Sequence, residues 1–208
     1  MERRGLVPIE IAAILIAATL ASWDPPPLGA IPIMLPLMVT ASIARWACGK
    51  SFGAVVRGPA SYLGIAALTG LGALILALAL GTPIAEAMST RPVVWASFPM
   101  VRGNASALWT FAVIVAALAA ASELVLRAWV VERVLELGGS AAVAVLVGAI
   151  AEALLVPGPI EARFGGFVMG IALGWMYIAA GRNVAVTLVA RLAFGLGALA
   201  LEMLEWVS

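Results

Sequence analysis

Residues Ser122-Glu123-Leu124-Val125-Leu126-Arg127, with Ala117 to Ala121 before them and Ala128-Trp129-Val130-Val131 after, place one carboxylate and one guanidinium inside an otherwise apolar helix. A charged side chain at the centre of a membrane helix costs roughly 2.5–3.5 kcal/mol on insertion scales, so charges there are seldom accidental. Glu123 and Arg127 stand four residues apart on one helix face, with the acid nearer the N-terminus, the better orientation for pairing. Such a pair either neutralises itself so that the helix can sit in lipid, or belongs to a reaction centre.

The composition points to the membrane. The chain has 208 residues, of which 64% are hydrophobic and 11% charged, with a mean hydropathy of +1.12. These values lie beyond those of soluble domains and read as a polytopic membrane protein. A net charge of +1 provides no basic field for nucleic acid. The single cysteine, Cys48, excludes an internal disulfide, and histidine is absent. That absence removes the commonest general base and the commonest metal ligand, so neither a metal nor a cofactor is expected.

About seven spans satisfy the need for some 20 apolar residues each. They fall near residues 6–22, 28–44, 59–81, 107–131, 141–157, 165–181 and 185–206. The expected fold is therefore all-α, a transmembrane helical bundle. The first run is read as an uncleaved span, because Asp24-Pro25-Pro26-Pro27 is a poor signal-cleavage site. Arg3, Arg4, Arg45, Lys50, Arg57, Arg133 and Arg182 gather on one side of this arrangement, against Arg91, Arg102 and Arg163 on the other. The positive-inside rule then gives a multi-pass protein of the cell membrane with its N-terminus in the cytoplasm. Residues 45–57 form a basic interfacial stretch suited to anionic lipid headgroups. Residues 82–106 are the one sizeable soluble segment expected, and Asn104 is read as the cap of the fourth span.

Gly166, Gly170 and Gly174 recur every four residues in the sixth span, a spacing that lets helices approach closely, so they are read as helix packing. Four ionisable residues fall well inside predicted spans: Glu123, Arg127, Glu152 and Arg191. Counted from the cytoplasmic ends, Glu123, Arg191 and Glu152 lie at roughly 12, 10 and 17 Å depth at 1.5 Å per residue. Two acids and two bases at overlapping depth are expected to form one neutral buried cluster, with Arg191 pairing to Glu123 or Glu152. Glu10 and Glu202, nearer the ends, are assigned solvated or interfacial places.

The order of these features resembles the CPBP family of intramembrane proteases, which includes the Rce1-type CAAX prenyl endopeptidases. That family carries a Glu-Glu-x-x-x-Arg motif, then Phe-x-x-x-His, then His-x-x-x-Asn or His-x-x-x-Asp. Here Ser122 to Arg127 stand at the first motif, Gly148-Ala149-Ile150-Ala151-Glu152 near the second, and Arg191-Leu192-Ala193-Phe194-Gly195 at the third. The small-residue phrase from Gly170 to Tyr177, followed by Gly181-Arg182-Asn183, is similar to the run that leads to the family's third motif. The resemblance covers roughly residues 105–200 and implies a division into 1–104, the N-terminal spans and outer loop, and 105–208, a CPBP-like core.

The departures fall on the chemistry. The family's first Glu, usually assigned to activate water, is Ser122. Its second-motif His is Glu152 or the neighbouring Ala153, its third-motif His is Arg191, and the Asn is Gly195. Glu123 and Arg127 survive, a pair whose role can be architectural. If activity remained, it would use Glu123 or Glu152, the latter as a base, with Arg191 able to stabilise an oxyanion. A base paired to arginine is weak, however. Ser122 does not face its neighbour Glu123, and the only lysine, Lys50, lies outside the spans. The resemblance thus implies a pseudoprotease that binds a transmembrane or lipidated segment among membrane lipids, or supports an active relative in protein processing. The alternatives are a divergent glutamic intramembrane endopeptidase and a small-molecule or ion transporter. The lack of inverted repeats stands against transport.

Overall fold

The computed structural model describes residues 61–88, 99–156 and 160–204, with Pro36, Met38, Val39 and Ser42 from an earlier helical stretch. The expected first span lies outside the described residues, and the second lies almost wholly outside them. Among the described residues the structure is helical, without strands. Helix α1 (Ser61–Leu76) runs through a π turn (Ala77–Gly81) into α2 (Thr82–Met88). After a 3₁₀ turn at Pro99–Val101, α3 (Ala105–Val125) leads through a second π segment (Leu126–Val131) to α4 (Glu132–Glu136). Then come α5 (Ala141–Leu155), α6 (Ile160–Ala179) and α7 (Val184–Met203).

Among the described residues four stretches are long and apolar enough to cross a bilayer: Tyr62–Gly81, Ala105–Glu136, Ile160–Ala179 and Val184–Met203. They fall on the expected third, fourth, sixth and seventh spans. The expected fifth is α5, whose 15 residues reach about 22 Å at 1.5 Å per residue, short of a hydrocarbon core of about 30 Å. In the segment 82–106, residues 89–98 lie outside the described residues, and its first part is helical. Winding continues to Met88, because the apolar pattern persists past the turn and Pro83 sits near the start of α2, where a missing N–H is tolerated.

Helix ends follow local chemistry. Asn104 Oδ1 accepts from the Ala107 N–H at 3.1 Å and from Ser106 Oγ at 2.8 Å, which makes it the N-cap of α3. Ser140, in extended conformation, caps α5 by accepting from the Val143 N–H at 3.3 Å. Before it, Gly138 takes φ 87°, and the Gly139 N–H reaches back to the Val134 carbonyl at 3.0 Å. That is a Schellman stop, which needs a left-handed residue and finds glycine there.

The described residues divide into two compact units, one of residues 121–156 and 160–185 with Pro36, Met38, Val39 and Ser42, and the other of residues 61–88, 99–120 and 186–204. In the first, α5 and α6 run antiparallel along the glycine stripe. A Cβ on Gly166 would meet Val156 Cγ2 at 2.6 Å, one on Gly170 would meet Ala149 Cα at 2.6 Å, and one on Gly174 would meet Val145 Cγ1 at 2.8 Å. Ala128, Val131, Val134, Ala144, Tyr177 and Val184 form its main apolar core, and a second cluster of Val125, Trp129 and Val130 is covered by Met38 and Val147. In the second unit, α1 approaches α7 so closely that a Cβ on Gly70 would strike the Ala190 carbonyl, and one on Gly197 would meet Leu74 Cδ2 at 2.8 Å. Glu202, expected at a solvated end, is instead buried at 4% exposure. At this end of α7 the Met203 carbonyl accepts from the Gly103 N–H at 3.5 Å, so the chain just before α3 lies over the helix end.

Candidate functional site

The first unit gathers its charges where the end of α3, the π segment, α5 and α6 meet. Glu123, Arg127 and Glu152 are buried, at 0%, 1% and 3% exposure. Arg127 Nη2 lies 2.7 Å from Glu152 Oε2, and Arg127 Nε lies 3.5 Å from Glu123 Oε2. The shorter contact does not run along an N–H direction, so charge attraction carries it. Arg127 Nη2 donates a hydrogen bond to the Gly170 carbonyl at 3.4 Å. Arg127 Nη1 and Trp129 Nε1, both buried, find no acceptor among the described residues.

Each member is positioned by local structure. Glu123 and Arg127 share a face through their i, i+4 spacing. Glu152 lies near the C-terminal end of α5, and its backbone carbonyl accepts from the Val156 N–H at the helix cap. Gly170 brings the α6 backbone in: a Cβ there would lie 3.2 Å from Glu152 Oε2 as well as against Ala149. A glycine at this point keeps the α6 carbonyl within reach of the guanidinium, so it serves the ion cluster as well as the helix packing.

The segment that carries Arg127 is itself unusual. All six residues from Leu126 to Val131 are buried and wound as a π helix, a form that occurs mostly as single turns, often at functional sites. Gly148 makes room for it, since a Cβ there would lie 3.0 Å from Val131 Cγ2. Just beyond, Glu132 Oε1 accepts from Tyr177 Oη at 2.9 Å, and Glu132 Oε2 lies 3.7 Å from Arg182 Nη1. Arg182 follows Gly181 at the end of α6, and both are left-handed, at φ 67° and 68°. The Arg182 N–H closes a Schellman turn onto the Tyr177 carbonyl at 2.8 Å.

The remaining sequence candidates are distributed as follows. Ser122 is half-buried on α3. Arg191 and Gly195 lie on α7 in the second unit, both half-buried. The cation that the first unit itself sets against Glu123 and Glu152 is Arg127. A Cβ on Gly195 would meet Val115 Cγ1 at 2.8 Å, so the position is filled by close packing rather than open to a larger polar side chain.

No protein-family model, no curated protein and no solved structure matches the chain. The chemistry of the site therefore has to be read from its geometry. Among the described residues no three of His, Cys, Asp and Glu stand together as a metal site. Two carboxylates held by one guanidinium make a stable acceptor–donor cluster, and a general base is weakened by such a partner. Sequence reasoning placed Gly148, Tyr177 and Arg182 only in motif phrases or in the topology, and it passed over Glu132 and the second role of Gly170. Glu132 stands five residues beyond Arg127, a spacing that an α-helical reading puts on another face.

Proposed function

We propose that the chain is a CPBP-like protein of the cell membrane in which an ion clamp stands where proteolytic chemistry would be. Its N-terminus faces the cytoplasm, and it receives a transmembrane or lipidated protein segment in support of a processing or sorting system. The observation that carries the loss of chemistry is Arg127 lying against Glu152 at 2.7 Å and Glu123 at 3.5 Å. A carboxylate committed to a guanidinium is a poor activator of water, and breaking such a pair would strand a buried charge. The close packing at Gly195 agrees with this reading, because an Asn could enter only if Val115 moved. The class of partner follows from the resemblance.

The test uses the purified chain in lipid nanodiscs with two fluorescent peptides, one prenylated at a C-terminal cysteine and one forming a single transmembrane helix. The reading expects saturable binding of at least one peptide and no cleavage after prolonged incubation. Cleavage that disappears in Glu152→Gln or Glu123→Gln would establish the divergent endopeptidase instead. Absence of binding by both peptides would remove the receiving role.

A further inference from the structure

The geometry points to the π segment Leu126–Val131 as a register switch, strained between the buried Arg127 clamp on one side and the Glu132–Tyr177–Arg182 latch on the other. Arg127 reaches Glu152 and the Gly170 carbonyl, while Glu132 reaches Tyr177. Gly170 and Tyr177 are seven residues apart, two turns along one face of α6. Arg127 and Glu132 are five residues apart, which in an α-helix would set them about 140° from each other. An α-wound segment could therefore satisfy the clamp or the latch, but not both. Winding with i→i+5 bonds brings the two residues back to nearly the same side, and the hollow at Gly148 accommodates the wider turn.

Both contacts are then made against the local preference for α winding. Loss of either one lets the segment relax, and part of the expected destabilisation is returned. The latch is the end open to outside influence, since the Arg182 side chain is 55% exposed. Its backbone is already held in the left-handed region, sparsely populated for residues other than glycine. A partner that draws Arg182 or Glu132 away would unwind the π turn and rotate α4 relative to the clamp. The switch is independent of what the protein binds.

Glu152 stands against α6 at Gly170, and Tyr177 lies two turns, roughly 10 Å, further along that helix. Their substitutions should therefore be additive unless something couples them. The experiment measures thermal unfolding of the full chain in one detergent for Tyr177→Phe, Glu152→Gln and the double variant. Because the strain is released once only, the double variant should lose more than the sum of the single losses, by on the order of 3 °C. Additive losses, or a double loss smaller than the sum, would overturn the switch. Deletion of Ala128 removes the extra residue and restores α winding between clamp and latch. In that background the excess should vanish, and its persistence would equally overturn the proposal. If the deletion variant does not fold, the first cycle alone decides.

Discussion

The two units solve the same problem, holding apolar helices together, by different means. The second does it with small residues: Gly70 lies against the Ala190 carbonyl, Gly197 against Leu74, and Gly195 against Val115. The first also has a glycine stripe, but carries three buried ionisable side chains, against Glu202 alone among the described residues of the second, and a π segment in which six consecutive residues are enclosed. Helix association in lipid needs only close packing and gains little from hydrophobicity. The buried charges of the first unit are therefore beyond what packing requires.

That comparison makes Arg127 the most sensitive position in the chain. Arg127→Met would withdraw the guanidinium from both Glu123 and Glu152 in the interior. Breaking a buried pair in this way costs about 3–5 kcal/mol, so unfolding in detergent should fall by about 10 °C or more. A change of only a degree or two would mean that the cluster is solvated, and the contrast between the units would collapse.

Next in size come the close helix approaches. Gly70→Ala and Gly170→Ala each place a methyl against backbone atoms, and overpacking of that kind costs about 1–3 kcal/mol. The two should differ in kind. Gly170→Ala also moves α6 from Glu152 and Arg127, so combining it with Glu152→Gln should give less than the sum of the losses, since the clamp is broken once only. Gly70→Ala should add independently of Glu152→Gln. Thermal unfolding of the four single and double variants would show whether glycine serves the charges in one unit and packing alone in the other.

The smallest effects are expected where nothing is close. Gly72 has no atom within 4 Å of an added Cβ, so Gly72→Ala should be neutral or stabilising by up to about 1 kcal/mol through helix propensity. Arg182→Gly removes an exposed, screened ion contact and at the same time relieves a left-handed residue. Its unfolding temperature should stay within a few degrees of the parent, in contrast to Arg127→Met. A large loss would assign Arg182 a structural weight that its exposure does not suggest.

Much of the helical architecture was legible in the sequence, because a run of some 20 apolar residues has few alternatives in lipid. Asn104 was readable as a cap because the amide stands immediately before a long apolar run. The Glu123–Arg127 spacing and the glycine stripe were readable because they depend on helical periodicity alone. What escaped depends on a different winding or on distant partners. The π segment has the same apolar composition as the α-helix around it, so no periodic signal reveals the extra residue. Tyr177 and Glu132 are 45 positions apart in sequence, and nothing local links them. The third span was expected to end near residue 81, whereas a π turn at Ala77–Gly81 leads into further helix up to Met88. Charge and depth grouped Glu123, Arg127 and Glu152 in the sequence, but the contact of Arg127 with Glu152 at 2.7 Å depends on the packing of α5 on the π segment, which depth counting cannot see.

The central claim is that Arg127 clamps both acids and that Glu152 is its principal partner. It is tested most directly by two double-mutant cycles on stability, Arg127→Met with Glu152→Gln and Arg127→Met with Glu123→Gln. Contacts of 2.7 and 3.5 Å lead to coupling in both cycles, larger for Glu152 and within the range of about 0.5–3 kcal/mol found for residues in contact. Glu152→Gln should also rescue part of the Arg127→Met loss. Zero coupling for Glu152, or coupling confined to Glu123, would contradict the account.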